Sequence, residues 1–256
     1  MSEVKIAFWR ARASADEYSP SPAAQELPEW WKKMPAFGGF GGVAPGDRAI
    51  MLNGGFDHST IKRCVPVLDS MSLGYIIKTD ADIYVHPEEE KTVIDSSGSA
   101  KVFKKITAIY PRFLGSEISL HENGQVETYP GPDGQNLQKI FTPWHVKTPD
   151  GYSVIFTEPL NNPSPYWSVL PAIMDTDKFC PRLNFMVYLK DSKFKGIIPA
   201  GTPLVQVIPF KRDSWVAEVS IGDKETSEKK GMVDYLLARF FYASYKKGFW
   251  TRKSFK

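Results

Sequence analysis

Short apolar runs recur between proline and glycine signals, and this pattern constrains the chain more than any other feature. Twenty prolines and nineteen glycines fall among 256 residues, so most segments end before a long helix can form. In "GYIIKTDADIYVH" apolar and polar residues alternate through Tyr75, Ile77, Ile83 and Val85, the pattern of half-buried antiparallel strands. "TVIDSSGSAKVFKKI" reads as a hairpin around Ser-Ser-Gly. "YPGPDGQNLQKIF" is a turn-rich connector, after which strand and turn alternate to Val219. Evenly spaced short strands predict a mainly β fold, a sandwich or barrel, rather than an α/β one.

The pattern divides the chain into three parts. Residues 1–59 form an irregular N-terminal arm with one short strand at Lys5–Arg10. Pro28 suits the first turn of a short helix over Glu29 to Lys33, with Trp30 and Trp31 as interaction anchors, either on their own domain or on a neighbouring subunit. Residues 60–222 form one β domain. Residues 223–256 form a C-terminal helix and a basic aromatic tail. In that helix Met232, Tyr235, Leu236, Arg239, Phe240 and Ala243 share a face, and Gly248 is the expected stop.

Composition narrows the functional classes. With 42% hydrophobic and 24% charged residues the chain is globular, and a net charge of +3 does not by itself call for a polyanion. Cys64 and Cys180 are the only cysteines. That excludes a disulfide-rich scaffold and a four-cysteine zinc site, and both are expected to be buried small hydrophobes. No run reaches the roughly 20 apolar residues of a membrane span, so no membrane partner is expected. The expected location is cytoplasmic.

Gln206 raises a sharper question, because it interrupts the apolar strand of "IIPAGTPLVQVIPF". Either the amide is buried with a hydrogen-bond partner, or it lies on the polar face of an edge strand. The order of segments around it is informative: a turn at Gly151, an apolar run ending in Asp175 and Asp177, the strand "LNFMVYL", then "GTPLVQVI". This order resembles the β-clip core of trimeric dUTPases and dCTP deaminases. The expected fold is therefore a dUTPase-like β-clip or jelly-roll-like core, with the irregular arm before it and one helix after it. Over a longer span, Thr60–Ile76, Asp150–Ser153 and Ile198–Pro203 resemble signatures of a large family found in tailed phages and bacteria, which carries no known activity.

The β-clip resemblance implies a trimer and places the glutamine near a subunit interface and a nucleotide. It also implies that Asp175, with Asp177 and Gln206 beside it, is the general base of a Mg²⁺-dependent nucleotide hydrolase. Lys178 and Arg182 are the nearest cations in sequence that are able to hold phosphates. Two departures argue against that activity. Lys178 stands where the stacking tyrosine belongs, and Glu158-Pro159 stands where a phosphate-binding Arg-Ser belongs. A carboxylate and a missing N–H reverse the electrostatics that a phosphate requires.

Other groupings are weaker. His86 and Glu88 with His145 imitate an iron-binding triad, but the intervening proline and acidic run read as a turn; His58 and His121 join no pattern. "FGGFGG", Phe37 to Gly42, reads as a flexible turn. In the tail, Phe249 and Trp250 alternate with Lys246, Lys247, Arg252, Lys253 and Lys256. That mixture suits nucleic acid, or a tail held to protein by its aromatics. The expectation is a non-catalytic structural or accessory assembly protein, plausible as a phage product, oligomeric and without a resident cofactor. It would reside in host cytoplasm or in a virion.

Overall fold

The computed structural model describes residues 4–10, 18–36, 60–88, 91–95, 118–120, 137–191, 193–219, 228–233 and 245–256. Within these residues the protein is mainly β: fourteen strands form four sheets, and every strand pair is antiparallel. Short apolar runs joined by turns suit that arrangement, because antiparallel neighbours need no long crossover.

The five-stranded sheet runs in the order β11 (Ala172–Met174), β9 (Tyr152–Thr157), β14 (Pro203–Lys211), β3 (Tyr75–Lys78) and β2 (Ser21–Pro22). A four-stranded sheet is ordered β10 (Trp167–Val169), β12 (Asn184–Leu189), β7 (Gln138–Phe141) and β6 (Ile118–Leu120). The three-stranded sheet is β13 (Gly196–Ile198), β4 (Ile83–Glu88) and β5 (Lys91–Asp95), and β1 (Ala7–Trp9) pairs with β8 (His145–Lys147). All four sheets contribute to one apolar core. Phe156 and Val207 come from the first sheet, Trp167 and Val187 from the second, Val85 and Ile198 from the third, and Val146 from the pair.

Contacts divide the chain into two compact units. One comprises Met1–Lys32, Ser70–Arg212 and Phe255–Lys256, which include all fourteen strands; the other comprises Lys33–Asp69 and Asp213–Ser254. In the N-terminal segment, β1 pairs with β8, β2 pairs with β3, and Trp31 is buried. Glu26 reinforces the attachment by pairing with Lys78 of β3 at 2.6 Å and accepting from Ser21 at 2.8 Å.

β14 explains Gln206. It is a central strand, flanked by β9 and β3, and burial of every residue from Leu204 to Ile208 shows that both of its faces are covered. Val205 and Val207 join the main core, while Gln206 is fully buried on the strand's other face. There its Oε1 accepts from Leu160 N–H at 2.8 Å, and its Nε2 donates to the carbonyls of Ser70 at 2.9 Å and Leu73 at 2.6 Å. Ser70 lies in the last turn of α2 (Val65–Ser72), and Leu73 directly follows it. Such end carbonyls lack partners within a helix. The amide thus caps a helix and holds the Pro159–Asn162 turn. The edge-strand alternative does not apply.

Helix α2 lies at the start of the span read from the sequence as a β domain. Pro66 fits its first turn, and Gly74 ends it with φ of +73°. A Cβ on Gly74 would lie 2.0 Å from the Val207 carbonyl oxygen, so glycine is required by both backbone angle and space. The short helix expected over Glu29–Lys33 forms as α1 (Glu29–Lys33), preceded by Pro28. At the C-terminal end helical backbone runs over 228–233, and a π-helical turn spans Tyr245–Phe249. Gly248 is the fourth residue of that turn, which ends at Phe249. The expected helical face from Tyr235 to Ala243 lies outside the described residues, as do His58, His121 and the Phe37–Gly42 segment.

Gln206→Leu is expected to lower unfolding free energy by about 2–4 kcal/mol, since three buried backbone groups lose their partner at ~1–3 kcal/mol each in the least relaxed case. Urea denaturation checks this; a change within ~0.5 kcal/mol is what an exposed edge position would give.

Candidate functional site

Two carboxylates and one guanidinium meet at the end of the β9–β14 pair. Pro149-Asp150-Gly151-Tyr152 is a tight turn between β8 and β9, closed by Tyr152 N–H on the Pro149 carbonyl at 3.2 Å. Gly151 takes φ of +84°, the left-handed conformation that this third turn position demands. Its N–H points at Asp177 and donates to Oδ2 at 2.9 Å. Asp175 begins a second turn after β11, in which Lys178 and Phe179 donate N–H groups to the Asp175 carbonyl at 3.1 and 3.0 Å. Between the aspartates, Thr176 is buried and meets Thr148 hydroxyl to hydroxyl at 2.7 Å. The two turns are thereby fastened together.

Arg212 supplies the positive charge. It follows β14, whose last residue, Lys211, pairs with Tyr152; the Arg212 N–H donates to the Gly151 carbonyl at 2.8 Å. Its Nη1 donates to Asp177 Oδ1 at 2.9 Å and its Nη2 to Asp177 Oδ2, a two-pronged pair. Nη1 also reaches the Tyr152 carbonyl at 3.0 Å and Ser153 Oγ at 2.9 Å, and lies 3.3 Å from Asp175 Oδ1. Ser153 Oγ in turn donates to Asp175 Oδ1 at 2.6 Å. The two carboxylates differ in burial: the Asp177 side chain is almost wholly covered, while that of Asp175 is 53% exposed. Hydrogen bonds from Arg212 hold the Asp177 carboxyl well below the usual carboxylate range; burial opposes this, and the Gly151 N–H assists it.

Gln206 is not part of this group. It pairs with Thr157, whereas the cluster surrounds Tyr152, opposite Lys211. Five residues of strand separate the two ends, about 17 Å at ~3.4 Å per residue. Arg182 is engaged elsewhere too, donating to the Thr142 carbonyl at 3.0 Å and lying 5.3 Å from the Phe141 ring centre. Lys178 is exposed on the Asp175 turn. Glu158, where the resemblance would put a phosphate donor, accepts from Lys190 at 2.9 Å and from Ser164 N–H at 3.2 Å. It shapes the loop before β10.

The remaining candidates have local partners. His145 stacks on Trp9 with ring centres 4.9 Å apart, and its Nδ1 lies 3.1 Å from the Cys180 carbonyl. No three metal-ligating side chains group together among the described residues. Cys64 and Cys180 are half-buried rather than fully buried, and the Cys180 thiol donates to the Thr176 carbonyl at 3.3 Å. Trp30 donates to the Asn161 carbonyl at 3.1 Å and packs edge-on against Trp31. In the tail, Trp250 and Lys253 both donate to Asp69 Oδ2, at 2.8 and 2.7 Å, while Phe249 is exposed. No described helix is long and apolar enough to cross a membrane.

Arg212 and Ser153 were not singled out from the sequence. Arg212 carried one usable signal, a cation just past an apolar strand whose partner strand begins at the Gly151 turn. No family model, curated protein or solved structure matches this chain.

The depressed titration of Asp177 fixes a sign. Its stabilising contribution is complete above the ordinary carboxylate pKa of about 4 and is lost progressively as pH falls from there through the lower folded-state value. Urea midpoints of the native protein and Asp177→Asn, measured from pH 7 down to strongly acid pH, are expected to differ most at neutral pH and to converge below about pH 4.

Proposed function

We propose that this protein is a non-catalytic structural or accessory component of an assembly, phage-encoded and homo-oligomeric, with a dUTPase-like β-clip or jelly-roll-like core. The observation that carries this reading is the mutual satisfaction of Asp175, Asp177 and Arg212. The guanidinium beside the aspartates is committed to both carboxylates, a serine hydroxyl and a backbone carbonyl. A triphosphate needs cations and N–H groups aimed at it; here the Gly151 N–H and the Arg212 fork are aimed at Asp177. The buried amide of Gln206 is likewise occupied by three backbone groups. Trimeric assembly is the stoichiometry that the β-clip resemblance suggests, and oligomers of this kind close by symmetry.

One observation favours a nucleotide-binding reading. Asp175 is half exposed beside Ser153 and Arg212, so a carboxylate with access to water does sit next to a cation. Incubation with Mg²⁺ and a panel of nucleoside triphosphates separates the two readings. The expected result is no pyrophosphate release and no thermal shift with any nucleotide. Turnover that Asp175→Asn abolishes, with folding intact, would overturn the proposal. Light scattering at micromolar concentration is expected to give a multimer, and a stable monomer would contradict the assembly reading.

A further inference from the structure

Residues 250–256 form neither helix nor strand, so side-chain contacts decide where they lie. Two sets of contacts hold them. Trp250 Nε1 donates to Asp69 Oδ2 at 2.8 Å, and Lys253 Nζ donates to the same oxygen at 2.7 Å. The Asp69 side chain is only 17% exposed. A carboxylate so far out of water requires donors, and charge-assisted bonds of this kind are the stronger ones. Further along, Phe255 packs edge-on against Tyr75 with ring centres 5.9 Å apart, and the Tyr75 hydroxyl donates to the Lys256 carbonyl at 3.3 Å.

Tyr75 in turn packs edge-on against Phe8, with ring centres 5.2 Å apart, and both lie against the main core. Phe255 is half-buried between the exposed Ser254 and Lys256, so its ring is turned onto the protein while its neighbours face water. Ordering a segment without backbone pairing costs entropy at every residue. Two anchors within one short segment share that cost, because once either is made the other becomes an intramolecular contact at high effective concentration. Contacts that would be weak alone therefore hold together, and the loss of one loosens the other.

We propose that residues 250–256 are a strap that opens and closes as one piece, with Asp69 as its clasp and Phe255 as its cover over the Tyr75–Phe8 aromatic pair. Closed, the strap commits Trp250 and Lys253 to Asp69, which takes two of the tail's groups suited to nucleic acid out of use. Open, it frees both groups and uncovers the Tyr75 ring beside Phe8. Every contact in this device lies within one chain, so the inference is independent of the assembly reading above.

Brief trypsin treatment reads the strap at the bond after Arg252, an exposed residue between Trp250 and Lys253, with intact mass reporting the loss of the residues beyond it. Asp69→Ala removes the clasp and Phe255→Ser the cover. Each is expected to speed that cleavage about 10-fold or more over the native protein, because opening governs cleavage and a lost charge-assisted bond shifts opening by that much. Each is also expected to raise binding of a fluorescent dye that reports exposed apolar surface. Trp250→Phe removes only an indole N–H and is expected to act in the same direction, which keeps the test intact if Asp69→Ala perturbs α2. Cleavage unchanged in all three variants would overturn the proposal. An increase confined to variants at one anchor would overturn it too, since the anchors would then act separately.

Discussion

A carboxylate taken out of water needs a cation and hydrogen-bond donors, and Asp177 obtains both from β14 and from the turn it faces. That requirement organises one end of the five-stranded sheet. Arg212 reaches back from the end of β14 to grip Asp177, and the same guanidinium donates to the Tyr152 carbonyl at the start of β9. Gly151 must adopt a left-handed conformation to present its N–H. The turn, the strand start and the aspartate loop therefore hold one another. Removal of either charged partner would leave the other stranded in a covered site.

The opposite end of the same strand pair is organised by a neutral group. Gln206 meets an N–H from one loop and two carbonyls at the end of α2, which brings two chain segments of distant sequence onto one buried amide. Polar groups inside an apolar strand invite a catalytic interpretation, and the pattern of Asp175, Asp177 and Gln206 resembles one. Strand register separates them: Gln206 belongs to the Thr157 end and the aspartates to the Tyr152 end. The amide and the aspartates therefore act on different loops.

Much of the fold was legible in sequence. Alternation through Tyr75, Ile77, Ile83 and Val85 marked two antiparallel strands, although β3 and β4 belong to different sheets. Both Ile76 and Ile77 are buried, because β3 is an inner strand covered on both faces. Helix α2 was missed because valines and a proline within "CVPVLDSMSLG" resemble a strand and its boundary; the proline fits a first helical turn and the glycine a helix end. The roles of Trp30 and Trp31 were half legible, since a double tryptophan signals an anchor but not whether it packs in its own chain. At the site, the turn glycine and both aspartates were picked out by the resemblance to the β-clip order of segments. Arg212 was not, because it is brought there only by the pairing register of β14 with β9.

The central claim is that the charged cluster is part of the fold rather than of a reaction. A double-mutant cycle on Asp177→Asn and Arg212→Met, followed by urea denaturation at neutral pH, tests it most directly. Each single variant is predicted to be clearly less stable than the native protein, and the double variant scarcely less stable than the worse single, because the second change removes a group already left without its partner. Strictly additive losses, or single variants as stable as the native protein, would contradict the account and return the cluster to the status of a site held in reserve for a ligand.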